Sequence, residues 1–458
     1  MSRSPRRKKR FLILLVLVVL IIPAGWFIEN GRGASAFDEM HARASEAGVS
    51  LVRADYAGPD ISDDENLLKD PVFADEVFRK REPGLDAWRN LPVVERIGTS
   101  AFMNPASGET LKYAGFFEGG MSEDEARLKL GEAARDYELR LDELRKAIWR
   151  KPAHPLFTRG VATEDLQGSR SLTTGLSPMI DCFRSSGLMA LRSENPRRAL
   201  ETIKTMDRIT ETTGDPYFIG YLLFANRGSL DLQLIWEGVR LRLWTEDEMA
   251  DLSRLIAKRN YKKPLLMSLK YQAAVEVEAY DSTTLLDEPL DVNPLFRDRV
   301  RNWVRNRGPA GWTHQRKALM VKSYLKAIKA VENDDRDALE ELSEELPKCE
   351  WSPLGAVSER IGLATRMMSA SFWKAETRKR IALIALSAER YYFSQKKYPK
   401  SLLQMKLDFP VVDLTDPQKR ELGYQLGPDG RPEIGSLYEE EMEKSQSNRS
   451  LRWQFWSK

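Results

Sequence analysis

The first 28 residues constrain this chain more than any other part, because they decide how the rest of it relates to a membrane. Six of the first ten residues are basic, and residues 11–28 then contain no charged side chain. As a helix, this run would be about 27 Å long, close to the thickness of the hydrocarbon core of a bilayer. Basic residues flank the cytoplasmic end of such spans. We therefore expect a single-pass transmembrane helix in the inner membrane, with a cytoplasmic N-terminus and the bulk of the chain periplasmic.

A cleaved signal peptide is the alternative interpretation of the same residues. Its apolar region would be residues 11–22, and Ala34-Ser35-Ala36 has the small-residue pattern of a cleavage site. That site lies far from the apolar region, however, and Trp26 and Phe27 are typical of the outer interface of a span. The sequence favours an uncleaved signal-anchor and leaves cleavage open.

The overall charge balance argues against one class of partner. The chain has 71 Lys and Arg against 68 Asp and Glu, and six of the basic residues precede the apolar run. The remaining part is thus close to neutral. Nucleic-acid binding needs a basic face that contacts phosphates, so we expect no nucleic-acid partner.

The two cysteines, Cys182 and Cys349, leave two possibilities open. An oxidising compartment permits a disulfide between them. Two distant cysteines carry no spacing pattern, however, and small buried side chains are the commoner explanation.

Shifts in composition predict six segments along the chain. They are a basic stub (1–10), the anchor (11–28), an extended irregular arm with a short helix near His41 (29–120), an α-helical domain (121–395), a small C-terminal module (396–440) and a polar, aromatic tail (441–458).

The helical domain is predicted from caps and apolar periodicity. Ser122–Glu125 and Thr245–Glu248 each have the pattern of a capping box. Behind the first box, apolar residues recur every three or four positions and form one stripe along a helix; they are Leu130, Ala134, Tyr137, Leu141, Leu144 and Ile148.

Paired helices follow at irregular spacing. Asn195 and Pro196 begin a helix that Gly214 ends, and a second helix is predicted over 216–243. Further helices are expected over 264–280 and 315–332. No constant period relates them, so the prediction is a mainly α fold, an irregular stack of helical hairpins that is tetratricopeptide-like without being a regular repeat.

The C-terminal module differs in character from the helices before it. A helix over 375–393 leads to Tyr398-Pro399, and a Pro-Asp-Gly turn between Tyr424 and Ile434 predicts a β-hairpin. This order resembles the C-terminal part of type II secretion major pseudopilins. The acidic residues that would follow the turn in those proteins are replaced by Arg431-Pro432-Glu433-Ile434, so we predict no calcium site.

A second resemblance covers the whole chain. The basic stub and anchor, the segment Pro59–Asn66, the helical pairs and the closing module are similar to a large group of uncharacterised, single-span bacterial envelope proteins. This resemblance implies architecture only.

Catalytic and metal-binding patterns do not emerge from the residues. His41, His154 and His314 belong to no metal-ligand or nucleophile motif. Acidic runs such as Glu276/Glu278, and the run Glu340, Glu341, Glu344 and Glu345, are typical of solvated helix faces. The sequence therefore predicts no catalytic, cofactor-binding or metal-binding residues, and no cofactor.

One basic stretch has two interpretations. The basic residues are Arg297, Arg299, Arg301, Arg305, Arg307, Arg316 and Lys317. Interleaved with tryptophans, they could bind an anionic polymer or lipid. Pairing with the acidic helix at 334–345 is favoured, because the charges of the two segments nearly cancel.

Together these features predict a membrane-anchored extracytoplasmic helical scaffold or protein-binding protein, whose partner is an unidentified envelope protein. An envelope hydrolase acting on peptidoglycan or glycan is the alternative from another class. It needs a desolvated Glu or His in an apolar cleft. A secretion-system accessory protein is a third possibility, implied only by the pseudopilin resemblance.

Overall fold

The computed structural model describes residues 5–56, 62, 64–65, 70, 138–139, 141–150, 179–180, 182–184, 186–191, 193–212, 218–228, 230–281, 310–345, 355–408, 422–427 and 430–435. Within helix α1 the side chains of residues 5–23 are not among those described.

The described residues are mainly helical, as predicted, with one small antiparallel hairpin. The helices are α1 (Pro5–Glu46), α2 (Pro196–Thr212), α3 (Phe218–Arg227), α4 (Leu230–Arg240), α5 (Glu246–Ala257), α6 (Lys262–Asp281), α7 (Ala310–Glu332), α8 (Arg336–Glu345), α9 (Gly355–Gln395) and α10 (Leu402–Asp408). Strands β1 (Gly423–Leu426) and β2 (Pro432–Gly435) pair with Tyr424 opposite Ile434. The predicted hairpin is thus confirmed.

The chain divides into two compact units. Unit 1 comprises Met1–Tyr56 and Leu266–Met367, and unit 2 comprises Ala57–Leu265 and Met368–Lys458. In unit 1, α7 packs on both α1 and α8. In unit 2, one hydrophobic core joins α2, α4, α5, the second half of α9 and the closing hairpin.

The N-terminal helix extends further than the sequence predicted. Residues 29–46 were expected to begin an irregular arm with a short helix near His41, yet they continue α1 without a break. The reason is tertiary: Met40 and Ala44 lie one turn apart on the buried face of this segment, and α7 packs along the helix. Residues 71–120 of the predicted arm lie outside the described residues.

Among the helices of the described part, none is both long enough and apolar enough to cross a membrane. Most side chains of the predicted span over residues 11–28 are not among those described, so the span stays a prediction.

The capping prediction at Thr245 is confirmed. The Thr245 amide donates to Glu248 Oε2 at 2.9 Å, and the Glu248 amide donates to Thr245 Oγ1 at 3.3 Å. This reciprocal pair satisfies two amides that the first turn of α5 leaves without an intrahelical acceptor. The similar box at Ser122–Glu125 lies outside the described residues, although Leu141, Leu144 and Ile148 of the predicted stripe are fully buried.

The helix predicted over 216–243 is wrong in one respect, because it is interrupted at Gly228. Its carbonyl oxygen accepts hydrogen bonds from Arg259 Nη1 at 3.0 Å and from the Tyr261 hydroxyl at 3.3 Å. A Cβ at this position would overlap the Tyr261 hydroxyl. The chain therefore forms α3 and α4 instead of one long helix.

Helix α9 begins about twenty residues before the predicted start at 375. One face of its second half is apolar and buried, because Ile381, Ile384, Ala385 and Ala388 are all at most 2% exposed. This face positions the site described next.

Candidate functional site

A group of titratable side chains with shifted pKa values lies where the C-terminal module meets the end of α9. Helix α9 ends at Gln395, and Lys396 takes a left-handed φ of 57° that turns the chain back. The reversal places Tyr398 beside Glu389, six residues before the end of the helix. The turn between α4 and α5 brings Arg242, also left-handed at φ 56°, to the same place.

Glu389 is the centre of this site. Its side chain is only 3% exposed, and its Oε1 accepts a hydrogen bond of 2.7 Å from the Tyr398 hydroxyl. The Tyr398 ring stacks on Tyr392, with centroids 4.6 Å apart and 25° between the planes. The guanidinium of Arg242 lies 5.2 Å from the centre of the Tyr392 ring. Glu389 is thus covered by aromatic rings, with an arginine next to them.

Burial governs the protonation of this carboxyl. Desolvation raises the pKa of Glu389 from 4.5 to about 7, although the Tyr398 hydrogen bond and the positive charges of Arg242 and Arg431 oppose the rise. Burial, followed by the negative charge of Glu389, also raises the pKa of Tyr398. At neutral pH the carboxyl is therefore divided between its two protonation states, and Tyr398 remains a hydrogen-bond donor.

The hairpin is held against the same site by a second tyrosine. The Tyr424 hydroxyl donates to the Pro399 carbonyl at 2.7 Å, and the Gln404 amide donates to the Tyr391 hydroxyl. Leu422 and Ile434 belong to the unit 2 core. The closing module is therefore docked on its helices through both apolar and polar contacts.

A carboxyl that exchanges its proton near neutral pH has two chemical uses. It can act as a general acid, as in glycoside hydrolysis, when a substrate oxygen reaches it. It can also join protein segments with a strength that depends on pH. The Glu389 carboxyl already accepts a protein hydroxyl and has little contact with solvent, which favours the second use.

Unit 2 also contains a buried ion-pair network around Arg259. The guanidinium donates to Asp231 Oδ1 at 3.0 Å and to Asp207 Oδ1 at 2.8 Å. The side chains of Arg259 and Asp231 are 8% and 3% exposed. The charge of Asp231 raises the pKa of Arg259, against desolvation, which lowers it. This network joins α2, α4 and the segment between α5 and α6, and we assign it a structural role.

Of the three histidines, the structure describes His41 and His314, and both lie near the Phe37 ring. His41 is exposed on α1. The centre of the Phe37 ring lies 6.2 Å from His41 and 5.9 Å from His314, and His154 lies outside the described residues. Within the part of the chain that the structure describes, no group of three or more His, Cys, Asp and Glu side chains is arranged to hold a metal ion.

Glu276 and Glu278, which the sequence assigns to a solvated helix face, have different hydrogen-bond partners. Glu278 accepts a hydrogen bond of 2.8 Å from the Arg53 amide, whereas Glu276 accepts one of 3.1 Å from Gln272. Glu341 is exposed, as expected for a solvated face. The side chains of Glu340, Glu344 and Glu345 lie outside the described residues.

The basic stretch and the cysteines are only partly covered by the structure. Residues 297–307 lie outside the described part, whereas Arg316 and Lys317 are buried in α7 at 6% and 2% exposure. Cys182 is buried in the unit 2 core, and Cys349 is not described, so the disulfide question stays open.

Sequence reasoning missed Glu389, although a signal for it exists. Glu389 continues the series Ile381, Ala385 at four-residue spacing, so it is an acid on the apolar face of a helix. A charge in such a position needs a partner when the helix packs. This pattern predicts that Glu389 is buried with a partner.

Comparison of the chain with protein-family models, curated proteins and solved structures finds no match.

Proposed function

We propose that this protein is a single-pass protein of the inner membrane whose extracytoplasmic helical part acts as a scaffold for an envelope protein partner. The continuity of α1 carries the proposal. The helix that contains the charge-free run of residues 11–28 continues to Glu46, and the part of it from Glu29 to Phe37 contacts α7. An anchor and a folded unit thus share one helix.

The use of buried charges supports a scaffold over an enzyme. Arg259 is saturated by Asp207 and Asp231, and Glu389 accepts from Tyr398. Arg259 joins segments distant in sequence, and Glu389 joins α9 to the segment that follows it. A scaffold needs this rigidity, and it needs no reactive group that faces a substrate.

The anchoring part of the proposal is tested by placing charges in the span. Leu15→Arg combined with Val18→Arg adds two arginines, each of which costs about 2.5–3.5 kcal/mol at the centre of a membrane helix. The matched control, Leu15→Ile with Val18→Leu, keeps the run apolar. We expect the parent and the control to stay in the membrane pellet after alkaline carbonate extraction, and the diarginine variant to be released. Retention of the diarginine variant would contradict the anchor.

The scaffold part is tested by crosslinking in intact cells, followed by purification of the full chain and mass spectrometry. If the partner binds only when this protein is anchored in the membrane, it should be crosslinked to the control and not to the diarginine variant. An equal crosslinking pattern in the two variants would remove the evidence for an envelope partner.

An envelope hydrolase acting on peptidoglycan or glycan is the second candidate, and Glu389 is the observation that favours it. A carboxyl with a pKa of about 7 has the protonation state that a general acid requires. Glu389→Gln would abolish such an activity on cell-wall material. Under the scaffold proposal the parent has no such activity to lose. A secretion-system accessory role is supported only by the resemblance of the closing module to pseudopilins.

A further inference from the structure

Helices α1 and α7 run parallel to each other in unit 1. The Gly311 amide donates to Asn30 Oδ1 at 2.9 Å. Further along both helices, the Phe37 ring centre lies 5.9 Å from His314 and 5.3 Å from Lys317 Nζ. We call this contact between α1 and α7 the seam. Residue numbers increase in the same direction along both helices from Asn30 and Gly311 to Phe37 and Lys317, so the two helices are parallel.

The contact is close because glycines lie on both sides of it. A Cβ at Gly33 would overlap the carbonyl of Gly311, and a Cβ at Gly311 would overlap the carbonyl of Glu29. The two backbones therefore touch, and Gln315 Nε2 adds a hydrogen bond of 2.9 Å to Glu29. Along the axis of α1, Gly311 is therefore held beside Glu29 and Asn30.

This level is the end of the predicted span. Glu29 is the first charged residue after the run of residues 11–28, and one residue of helix rises only about 1.5 Å. The first turn of α7 is therefore held within a few ångströms of the point where α1 would leave the hydrocarbon core. Tilting of α1 would tilt α7 with it.

The side chains at this level suit a membrane interface. Trp26, Phe27 and Ile28 are 42%, 83% and 61% exposed, and Trp312 follows Gly311 in α7. Tryptophan and other aromatic side chains concentrate where headgroups meet acyl chains. These exposed apolar residues are the last three of the charge-free run, which identifies lipid as the surface that would cover them.

We propose that the first turn of α7 lies in the headgroup layer at the outer surface of the membrane, beside Trp26 and Phe27, so that unit 1 rests on the lipid. This inference depends on the proposed anchor. It adds that a segment far along the chain, and not the anchor alone, contacts the bilayer.

The test measures the depth of the two ends of α7 in vesicles of phosphatidylcholine and phosphatidylglycerol. Full-length chains with Ala310→Cys or Asn333→Cys, both in a background with Cys182 and Cys349 replaced by alanine, carry the same fluorophore. Both positions are exposed, and they lie about 35 Å apart along the helix axis. Lipids with a spin label on the headgroup quench the fluorophore at short range.

We expect each labelled protein to float with the vesicles, and the Ala310 label to be quenched at least threefold more strongly than the Asn333 label. Flotation with equal or no quenching at the two positions would overturn this inference and leave the anchor intact. That result would also be found if a second copy of the chain, and not lipid, covered Trp26–Ile28. Failure to float would overturn both the anchor and the inference.

Discussion

The two units of this protein differ in the kind of contact that packs each of them internally. In unit 1 the contact between α1 and α7 is made of backbone, with Gly33 and Gly311 facing each other. In unit 2 the glycines face large side chains instead: a Cβ at Gly238 would overlap the Trp244 indole, and one at Gly228 would overlap the Tyr261 hydroxyl.

This difference in packing indicates which substitutions each unit tolerates. A backbone contact has no side chain that can change rotamer, so even one added methyl group must move a helix. A core of large side chains can adjust to a change of shape more easily. Unit 2 depends instead on charges such as Asp231, which were removed from water on folding and are stable only with their partner.

The largest effect is expected from breaking the buried ion pair of unit 2. Asp231→Ala leaves Arg259 buried with one partner fewer, and loss of one member of a buried pair costs about 3–5 kcal/mol. The measurement is urea unfolding of the full chain in detergent. Asp251→Ala is the matched control, because its pairs with Lys204 and Arg254 are more than one-third exposed on both sides and such surface pairs are each worth about 0–1 kcal/mol. Equal losses in the two variants would show that the network adds no more than a surface pair.

A smaller loss is expected from widening the glycine seam of unit 1. Gly33→Ala forces α1 and α7 apart, and overpacking of this kind costs about 1–3 kcal/mol. Gly31→Ala is the control, since a Cβ there meets nothing within 4 Å and alanine favours a helix by about 0.5–1 kcal/mol. Amide hydrogen exchange in α7 should accelerate in the first variant alone. Unchanged exchange in Gly33→Ala would mean that the seam is not the contact that stabilises unit 1.

The smallest effect concerns the pH dependence of unit 2. Because folding raises the pKa of Glu389 from 4.5 to about 7, the folded state holds this proton more tightly than the unfolded state. The stabilisation is complete below pH 4.5 and is lost as the pH rises through about 7. Between pH 6 and pH 8 the loss amounts to about 1 kcal/mol.

Glu389→Gln should remove this component, so that the difference in unfolding free energy between parent and variant changes between pH 6 and pH 8. Groups common to both proteins cancel in that difference. A difference that stays constant over this range would contradict the raised pKa.

Features determined by local chemistry could be predicted from the sequence. The reciprocal bonds of Thr245 and Glu248 need only residues three apart, and the pairing of Tyr424 with Ile434 needs only a short turn. The apolar face of α9 follows from helical periodicity. In the closing module Tyr398, Leu402 and Tyr424 pack on the core. Leu426 is 40% exposed.

Features determined by distant partners could not be predicted. The break at Gly228 exists because Arg259 and Tyr261 bind its carbonyl. The helix over residues 29–46 depends on α7, whose contact at Gly311 lies 281 residues from Asn30. The raised pKa of Glu389 comes from its burial when α9 packs in unit 2. In each case the cause is tertiary packing, which no local pattern contains.

The central claim is that α1 carries the chain across the membrane, so that the residues after Ile28 lie outside the cytoplasm. Two reporters fused after Lys458 test it most directly, one active only after export and the other active only in the cytoplasm. The account predicts activity from the exported reporter and none from the cytoplasmic one, because the basic residues precede the apolar run. An active cytoplasmic reporter with an inactive exported one would contradict it.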